Sequence, residues 1–476
     1  MTDELRIELS RRQFLRTVAL GAIATGVAPT LIPSGVLAAP GRPGANDRIG
    51  IAVIGPGRQG GGLLGSAGKS PEARIVAMAD VNLKRARAAA ARYKAEVYQD
   101  YRKLLERKDV DAVITATPEH WRALICIHAC QAGKDIYAEK PMTLTIHEGR
   151  LMVEAARKYQ RVFQCGSQQR SQVENHVGCQ LVRSGAIGKV TRVIGNNYPS
   201  PWLCALPAQP VPDELDWDMW CGPTEPVAFN ADLYAPRAKP GWLSFRPYSG
   251  GEMTGWGAHG LDQVQWALGM DNSGPVEIWT EGERFNPPTY TEPETSARGN
   301  KLCSVPAIFY RYANGVVLEL ANGPTGGAIF LGEKGKFTID RGKCVSDPPE
   351  LAAVPLRRAI QEAVDRSRAR KSSTGDPEPP PSPLVKAASQ PAVATPPLNG
   401  GHMQNWFDCI RTRSKPIADV ETGHRSATVC HLGNIARWTG RRLRWDPIKE
   451  VFLGDPEANQ NLDRVRRKPY ELPEKV

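Results

Sequence analysis

Ile49-Gly50-Ile51-Ala52-Val53-Ile54-Gly55-Pro56-Gly57-Arg58-Gln59-Gly60 is the stretch of this 476-residue chain that decides its fold. A short β-branched run leads directly into G-x-G-x-x-G, and a helical stretch follows. Each glycine has a physical task in such a loop. Gly55 permits a tight turn, Gly57 lets a backbone approach a pyrophosphate, and Gly60 allows a helix to pack closely on a strand. The first N–H groups of that helix, with Arg58 and Gln59 beside them, face the anion. The next strand, Arg74–Ala79, ends at Asp80, twenty-five positions after Gly55. A carboxylate there can accept hydrogen bonds from adenosine ribose hydroxyls and repels a 2′-phosphate, which favours NAD. Lys84 and Arg85 stand close enough to leave NADP open. A glycine turn with a capping aspartate is the competing reading, disfavoured because strand, loop, helix and acid occur together.

Working outward, strand and helix signals alternate. Asn82–Tyr93 is helical, Ala112–Thr115 a strand, Glu119–Gln131 a helix, Asp135–Ala138 a strand, Ile146–Tyr159 a helix and Val162–Cys165 a strand. Apolar strands alternating with helices predict a doubly wound parallel sheet, a Rossmann domain over residues 48–168. After Val190 the texture changes. Val190–Asn196, Val276–Gly282, Ala307–Tyr312, Val316–Leu320, Ala328–Leu331 and Lys336–Ile339 carry period-two alternation and glycine turns. They predict a C-terminal α+β domain over residues 169–445, with a largely antiparallel open sheet. Helices at Thr254–Leu268, Met403–Arg411 and Glu421–Thr439 are expected to cover one face. The Pro-rich stretch 372–400 reads as a mobile insertion, and residues 446–476 as a tail.

Composition excludes several classes. Hydrophobic residues at 41% and charged residues at 23% describe a globular protein. The net charge of +11 is scattered, without an aromatic-interleaved basic stripe, so a solvated surface is expected rather than nucleic-acid binding. Ser10-Arg11-Arg12-Gln13-Phe14-Leu15, followed by an uncharged run from Thr17 to Ala39, fits a twin-arginine export signal. Residues 1–39 are therefore expected to be a signal peptide read by the twin-arginine machinery, removed or left as a loose tether. The mature protein is then expected in the periplasm or otherwise outside the cytoplasm. The ten cysteines lack C-x-x-C spacing, which predicts buried thiols. No set of ligands shows metal spacing.

Further motifs carry chemistry. Asp135-Ile136-Tyr137-Ala138-Glu139-Lys140-Pro141 delivers Glu139 and Lys140 at the carboxyl end of a strand, where ligands bind in open α/β sheets. Lys140 there can donate to a substrate hydroxyl or act as acid or base; a surface salt bridge is the alternative. Together with Thr117-Pro118-Glu119-His120-Trp121 and Gly250-Gly251-Glu252-Met253-Thr254-Gly255-Trp256-Gly257-Ala258-His259-Gly260-Leu261-Asp262, the chain resembles the Gfo/Idh/MocA oxidoreductases. Asp216-Trp217-Asp218, Gly222-Pro223 and Trp445-Asp446-Pro447 look like a twin-arginine-exported subgroup.

The resemblance implies hydride transfer between NAD(P) and a carbinol of a sugar, polyol, cyclitol or glycoside. It implies that Lys140 positions the hydroxyl and His259 handles the proton, and it places Thr117, Pro118, His120, Trp121, Glu139 and Lys140 near the cofactor. The chain departs from the family at Gly255, where most members carry Asp. Glu252 or Asp262 is placed to orient His259 instead, although Asp262 also reads as a structural helix residue. Gln168, Arg170, Trp242, Arg246 and Tyr248 are candidate substrate contacts, each with a structural explanation beside it; Gln169, Arg122, His402 and His424 stand lower. Two other readings remain open: glycoside cleavage through transient oxidation by a permanently held NAD, and a non-catalytic sugar binder. Self-association through the open sheet is also expected.

Overall fold

Every residue of Ile49–Ile54 (β1) is buried, as a central parallel strand covered on both faces requires. The computed structural model describes residues 44, 47–236, 241–287, 289–292, 301–372, 401–473 and 476. The chain divides into Met1–Arg48 and Ile49–Val476, and the architecture below belongs to the second unit. The expected signal peptide, and the Pro-rich stretch beyond Ser372, lie outside the described residues.

After β1 come α1 (Arg58–Ala67), β2 (Ala73–Ala79), α2 (Leu83–Ala90), β3 (Glu96–Tyr98), α3 (Tyr101–Leu105), β4 (Ala112–Thr115), α4 (Glu119–Gln131), β5 (Asp135–Ala138), α5 (Ile146–Lys158) and β6 (Phe163–Cys165). The sheet is six-stranded, in the order β3-β2-β1-β4-β5-β6, and every pairing in it is parallel. β1 pairs with both β2 and β4, so the winding reverses between β1 and β4. That switch point opens a crevice at the strands' carboxyl ends.

The second layer system starts with α6 (Val173–Arg183) and β7 (Val190–Asn196). Short helices α7 (Trp217–Cys221) and α8 (Ala231–Tyr234) precede α9 (Glu252–Gly255) and α10 (Gly257–Ala267). Strands β8 (Pro275–Glu281), β9 (Ala307–Tyr312), β10 (Val317–Ala321), β11 (Ala328–Gly332), β12 (Gly335–Asp340) and β13 (Lys343–Asp347) follow. Then come α11 (Glu350–Ser372), α12 (Gly401–Thr412), α13 (Val420–Thr439), β14 (Leu443–Asp446), β15 (Val451–Phe452) and α14 (Pro456–Asn459). The nine-stranded sheet runs β13-β12-β11-β7-β10-β9-β8-β14-β15 and is antiparallel except for β7 against β10. Ile278, Tyr310, Leu318, Phe330 and Phe337 on its inner face share one core with Leu261 and Val264 of α10 and Val429 and Leu432 of α13. Arg311, Lys336 and Arg444 on the other face are exposed, the half-solvated alternation expected of an antiparallel sheet.

Two expectations change. The helix expected over Thr254–Leu268 is two helices meeting at Trp256, between Gly255 and Gly257. Glycine on each side weakens helical propensity there, and the His259 N–H bonds the Trp256 carbonyl three residues back at 2.8 Å. The domain boundary at residue 169 does not close the Rossmann core either. Trp406, Phe407 and Cys409 of α12 pack with Ile51, Val53, Leu63 and Tyr137, because the first domain needs a late helix to cover one face of its sheet. All ten cysteines are free thiols, nine of them buried.

Candidate active site

The glycine loop is built for close approach. Gly55 has φ +78°, and a Cβ on Gly60 would fall 2.1 Å from the Gly55 carbonyl oxygen. Either substitution would push the loop off the helix. A Cβ on Gly57 would instead meet nothing nearer than an Arg85 guanidinium nitrogen at 3.9 Å. It would fill open space in front of the α1 N-terminus, where a phosphate fits against unpaired helix N–H groups. At the end of β2, Asp80 is 7% exposed. Its carboxylate accepts from the Asn82 N–H at 2.9 Å and pairs with Arg85 at 3.4 Å. Burial pushes the Asp80 carboxyl up, against the pull of Arg85. Arg85 also lies over the Tyr234 ring, 5.2 Å from its centroid. These residues fit an adenosine ribose diol and a pyrophosphate.

A cavity of about 580 Å³ extends from this cradle along the carboxyl ends of the strands. It is lined by Gly55, Gly57, Arg58, Gln59, Asp80, Thr117, Pro118, Trp121, Glu139, Lys140, Gln168, Trp242 and His259, so these thirteen sequence candidates share one space. Glu139, buried at the end of β5, accepts from Gln59 Nε2 at 2.7 Å and from Gln168 Nε2 at 3.1 Å. Burial raises its pKa, and the neighbouring Lys140 ammonium lowers it. Lys140 Nζ donates to the Gly255 carbonyl at 3.1 Å. The position that lacks the family carboxylate thus presents its backbone oxygen to the lysine.

Two neighbours fix the walls. Arg122 donates to the carbonyls of Pro141 and Thr117, tying the turn after β4 to the turn that carries Lys140. Trp121 donates from Nε1 to the Met219 carbonyl at 2.8 Å and packs edge-on against Tyr470 of the tail, 5.1 Å between centroids. Gly222 makes room for it, since a Cβ there would sit 2.2 Å from the indole.

Other candidates lie elsewhere. His120 is buried with its Nε2 at 2.8 Å from the Trp220 carbonyl, and burial lowers its pKa to about 3. It holds loop to helix and does not line the cavity. Tyr248 is buried against His120 and Trp220. Arg246 stacks on Trp438 at 3.9 Å, on the exterior. Arg170 and Asp262 form a buried ion pair at 2.8 Å, with Asp271 at 2.7 Å from Arg170 and Ser426 donating to Asp262 at 2.6 Å. Charges this deep need partners, and these satisfy each other. Substrate contact by Arg170, Arg246, Tyr248 and Asp262 is therefore corrected to structural roles, as is cofactor contact by His120. His402 and His424 are likewise engaged, with the Cys165 carbonyl at 2.8 Å and with Glu450 at 2.6 Å. Among the described residues, no cluster of three or more His, Cys, Asp or Glu could hold a metal ion.

Sequence reasoning missed Glu119, Arg341 and Tyr234. Glu119 reads from sequence as a first-turn acid of a helix, and its partners lie about 130 residues away. Arg341 and Tyr234 carry no local signal.

A family model described as oxidoreductase family, NAD-binding Rossmann fold, matches residues 49–167. A second, oxidoreductase family, C-terminal alpha/beta domain, matches 163–352 and 388–472. The chain belongs to the Gfo/Idh/MocA oxidoreductase family. An inositol 2-dehydrogenase of Rubrobacter xylanophilus is 32% identical over 147 residues, 30% of this chain and 42% of that protein. A glycosyl hydrolase family 109 protein of Shewanella pealeana is 28% identical over 178 residues, 33% of this chain and 38% of the relative. The match thus spans under half the length of either relative. Levoglucosan dehydrogenase, solved with NADH and levoglucosan, superposes with TM-score 0.54 at 17% identity, covering 86% of this chain and all of that one. At that identity the likeness shows the fold. The Rossmann domain of this Gfo/Idh/MocA member is NAD-binding.

Asp80 sets a testable preference within it. Asp80→Ser is expected to raise affinity for NADP relative to NAD by about tenfold or more. The change removes the carboxylate that repels a 2′-phosphate and leaves Arg85 beside the vacated position. Titration of both dinucleotides against the wild type and the variant measures the ratio.

Proposed function

We propose that this protein transfers hydride between NAD and a carbinol of a sugar, polyol, cyclitol or glycoside. The observation that carries the reading is that Lys140 and His259 wall the same cavity as the glycine-loop cradle. Bound NAD supplies the hydride acceptor, or the donor in reverse. The chain's own residues do the rest. Lys140, held by the Gly255 carbonyl and close enough to Glu139 for their charges to attract, has an ammonium with three donors and offers one to the reacting hydroxyl. His259, whose imidazole in its neutral form has one acceptor nitrogen, takes the hydroxyl proton. Trp242 and Trp256 in the cavity wall give apolar surfaces suited to a sugar ring. Purified protein given NAD and a panel of sugars, cyclitols and glycosides is expected to form NADH with some of them. A protein that binds NAD and oxidises none would sink the reading.

The glycosyl hydrolase family 109 relatives favour a second reading, in which a permanently held NAD oxidises a glycoside transiently and the glycosidic bond breaks. Nicotinamide absorbance that survives dialysis, with aglycone release and no net NADH, distinguishes it. Twin-arginine export of the folded protein to the periplasm belongs to the same proposal, as does self-association through the outer face of the nine-stranded sheet. On that face Trp279 and Phe309 stack at 5.3 Å.

A further inference from the structure

We infer that Arg341 makes this site select carbohydrates that carry an anionic group; the inference rests on the oxidoreductase reading above and names its substrate class. Arg341 sits in the turn between β12 and β13 and lines the cavity together with Lys140, His259, Trp256 and Gln168. The turn is rigidly built. Asp340 Oδ1 accepts from the N–H groups of Gly326 and Arg341, both at 2.8 Å. Asn175 accepts from the Gly342 N–H at 2.9 Å and donates to the Asp340 carbonyl at 2.9 Å. Gln169, next to the cavity-lining Gln168, donates to the Gly326 carbonyl at 2.6 Å. On the other side, Gly260 follows His259 directly, and a Cβ on it would stand 3.2 Å from the Gly327 carbonyl. The 326–327 segment therefore lies between the His259 helix and the Arg341 turn, which places the arginine at the substrate end, away from the dinucleotide cradle.

Comparison with the other cations singles it out. The cations lining the cavity are Arg58, Arg85, Arg122, Lys140 and Arg341. Arg58 stands in the first turn of α1, beside the pyrophosphate cradle. Arg85 pairs with Asp80, Arg122 is held by two carbonyls, and Lys140 lies between Gly255 and Glu139. Among the described residues, the Arg341 guanidinium has no ion-pair or hydrogen-bond partner, and the adjacent acid in the chain, Asp340, accepts from backbone N–H groups. A guanidinium presents a planar fork of donors that matches carboxylate, phosphate or sulfate oxygens in pairs. Fixed at the mouth of a sugar-sized space, it is complementary to a uronic acid or an acidic ester of a sugar.

The test uses the NAD-bound protein and substrate pairs matched in ring stereochemistry: glucose with glucuronate, galactose with galacturonate, and glucose with glucose 6-phosphate. Steady-state kcat/KM is measured for the wild type, Arg341→Gln and Arg341→Lys, with thermal unfolding as the check on folding. The wild type is expected to prefer the acidic member of at least one pair by about tenfold or more. Arg341→Gln is expected to abolish that preference through KM, and Arg341→Lys to keep part of it. Preference confined to the uronates assigns a carboxylate, and preference confined to the phosphate assigns an ester. Turnover of neutral members alone, or an unchanged ratio in Arg341→Gln, overturns the inference and leaves the oxidoreductase reading standing. Turnover of no member of these pairs, by NAD-holding protein that oxidises a neutral cyclitol, polyol or glycoside of the wider panel, overturns the inference alone, and turnover of nothing in that whole panel overturns both.

Discussion

Lys140→Met is expected to lower kcat by about 10²- to 10⁴-fold, the range over which a positioned acid–base or hydrogen-bonding group contributes, while NAD still binds. Methionine keeps the length and apolar stem of lysine and has no donor. The cradle that holds the dinucleotide, from Gly55 to Gly60 and at Asp80, does not involve the lysine side chain, so cofactor affinity measures folding independently of chemistry. The lost contact with the Gly255 carbonyl, 3.1 Å in the wild type, is a hydrogen bond between a backbone oxygen and an ammonium. Its removal also takes away one of the two cations, Lys140 and Arg122, that oppose the rise burial imposes on the Glu139 pKa, so Glu139 moves further toward its neutral form. Lys140→Arg is not expected to rescue activity, because the larger planar guanidinium does not reproduce a compact ammonium at a site shaped by the Lys140–Pro141 turn. A loss smaller than about fivefold, with NAD bound, would remove Lys140 from the reaction. The measurement is turnover with saturating NAD and whichever substrate the panel identifies.

That prediction rests on residues whose roles are legible in the amino-acid sequence alone. Ile49–Ile54, the glycine loop, Asp80, Glu139 and Lys140 announce themselves because the physics that requires them is local: a strand, a turn without Cβ atoms, a helix N-terminus and an acid at the next strand end. The nine-stranded sheet is readable for the same reason, since period-two alternation survives wherever one face meets water. The short edge strand Glu96–Tyr98 carries too few residues to show a period. Residues whose meaning comes from partners distant in sequence are not legible. Arg170 and Asp262 look like cleft residues until they are seen paired at 2.8 Å across 92 positions. Tyr248 and Arg246 suit a sugar by chemistry and are used by the fold for packing. Trp406 belongs to a core assembled from residues more than 240 positions earlier. The break at Trp256 has its reason in the tertiary structure too: Gly255 presents a carbonyl to Lys140, which local propensity does not reveal.

Glu119 shows how much one such distant pairing holds. It is fully buried in the first turn of α4 and receives Ser249 Oγ at 2.5 Å, the Gly250 N–H at 3.0 Å and Thr254 Oγ1 at 3.1 Å. One carboxylate of the Rossmann domain thus clamps the loop that runs into Gly255 and His259, and Asn434 of α13 secures the same loop by donating to the Gly250 carbonyl at 2.8 Å. Burial raises the Glu119 pKa to about 7, against the pull of these donors and of Arg122. The site accepts the protonated form, because the Thr254 hydroxyl can turn to the Gly251 carbonyl, 3.0 Å away, and receive the acid proton. A carboxyl whose pKa is higher folded than unfolded binds its proton more tightly in the native state. Its contribution is complete below about pH 4.5 and disappears as pH rises through 7. Over that window the wild type is expected to lose about 3 kcal/mol of stability that the Glu119→Gln variant does not lose, from a shift of 4.5 to about 7. Thermal or denaturant unfolding of both proteins between pH 5 and 8 measures the difference, and parallel curves would show that Glu119 does not titrate in this range. Glu119→Ala is expected to be destabilised at every pH, since it strands a buried N–H and two hydroxyls. Its kcat is expected to fall more than that of Glu119→Gln, because the loop carrying the Gly255 carbonyl and His259 is then held on one side only, by Asn434.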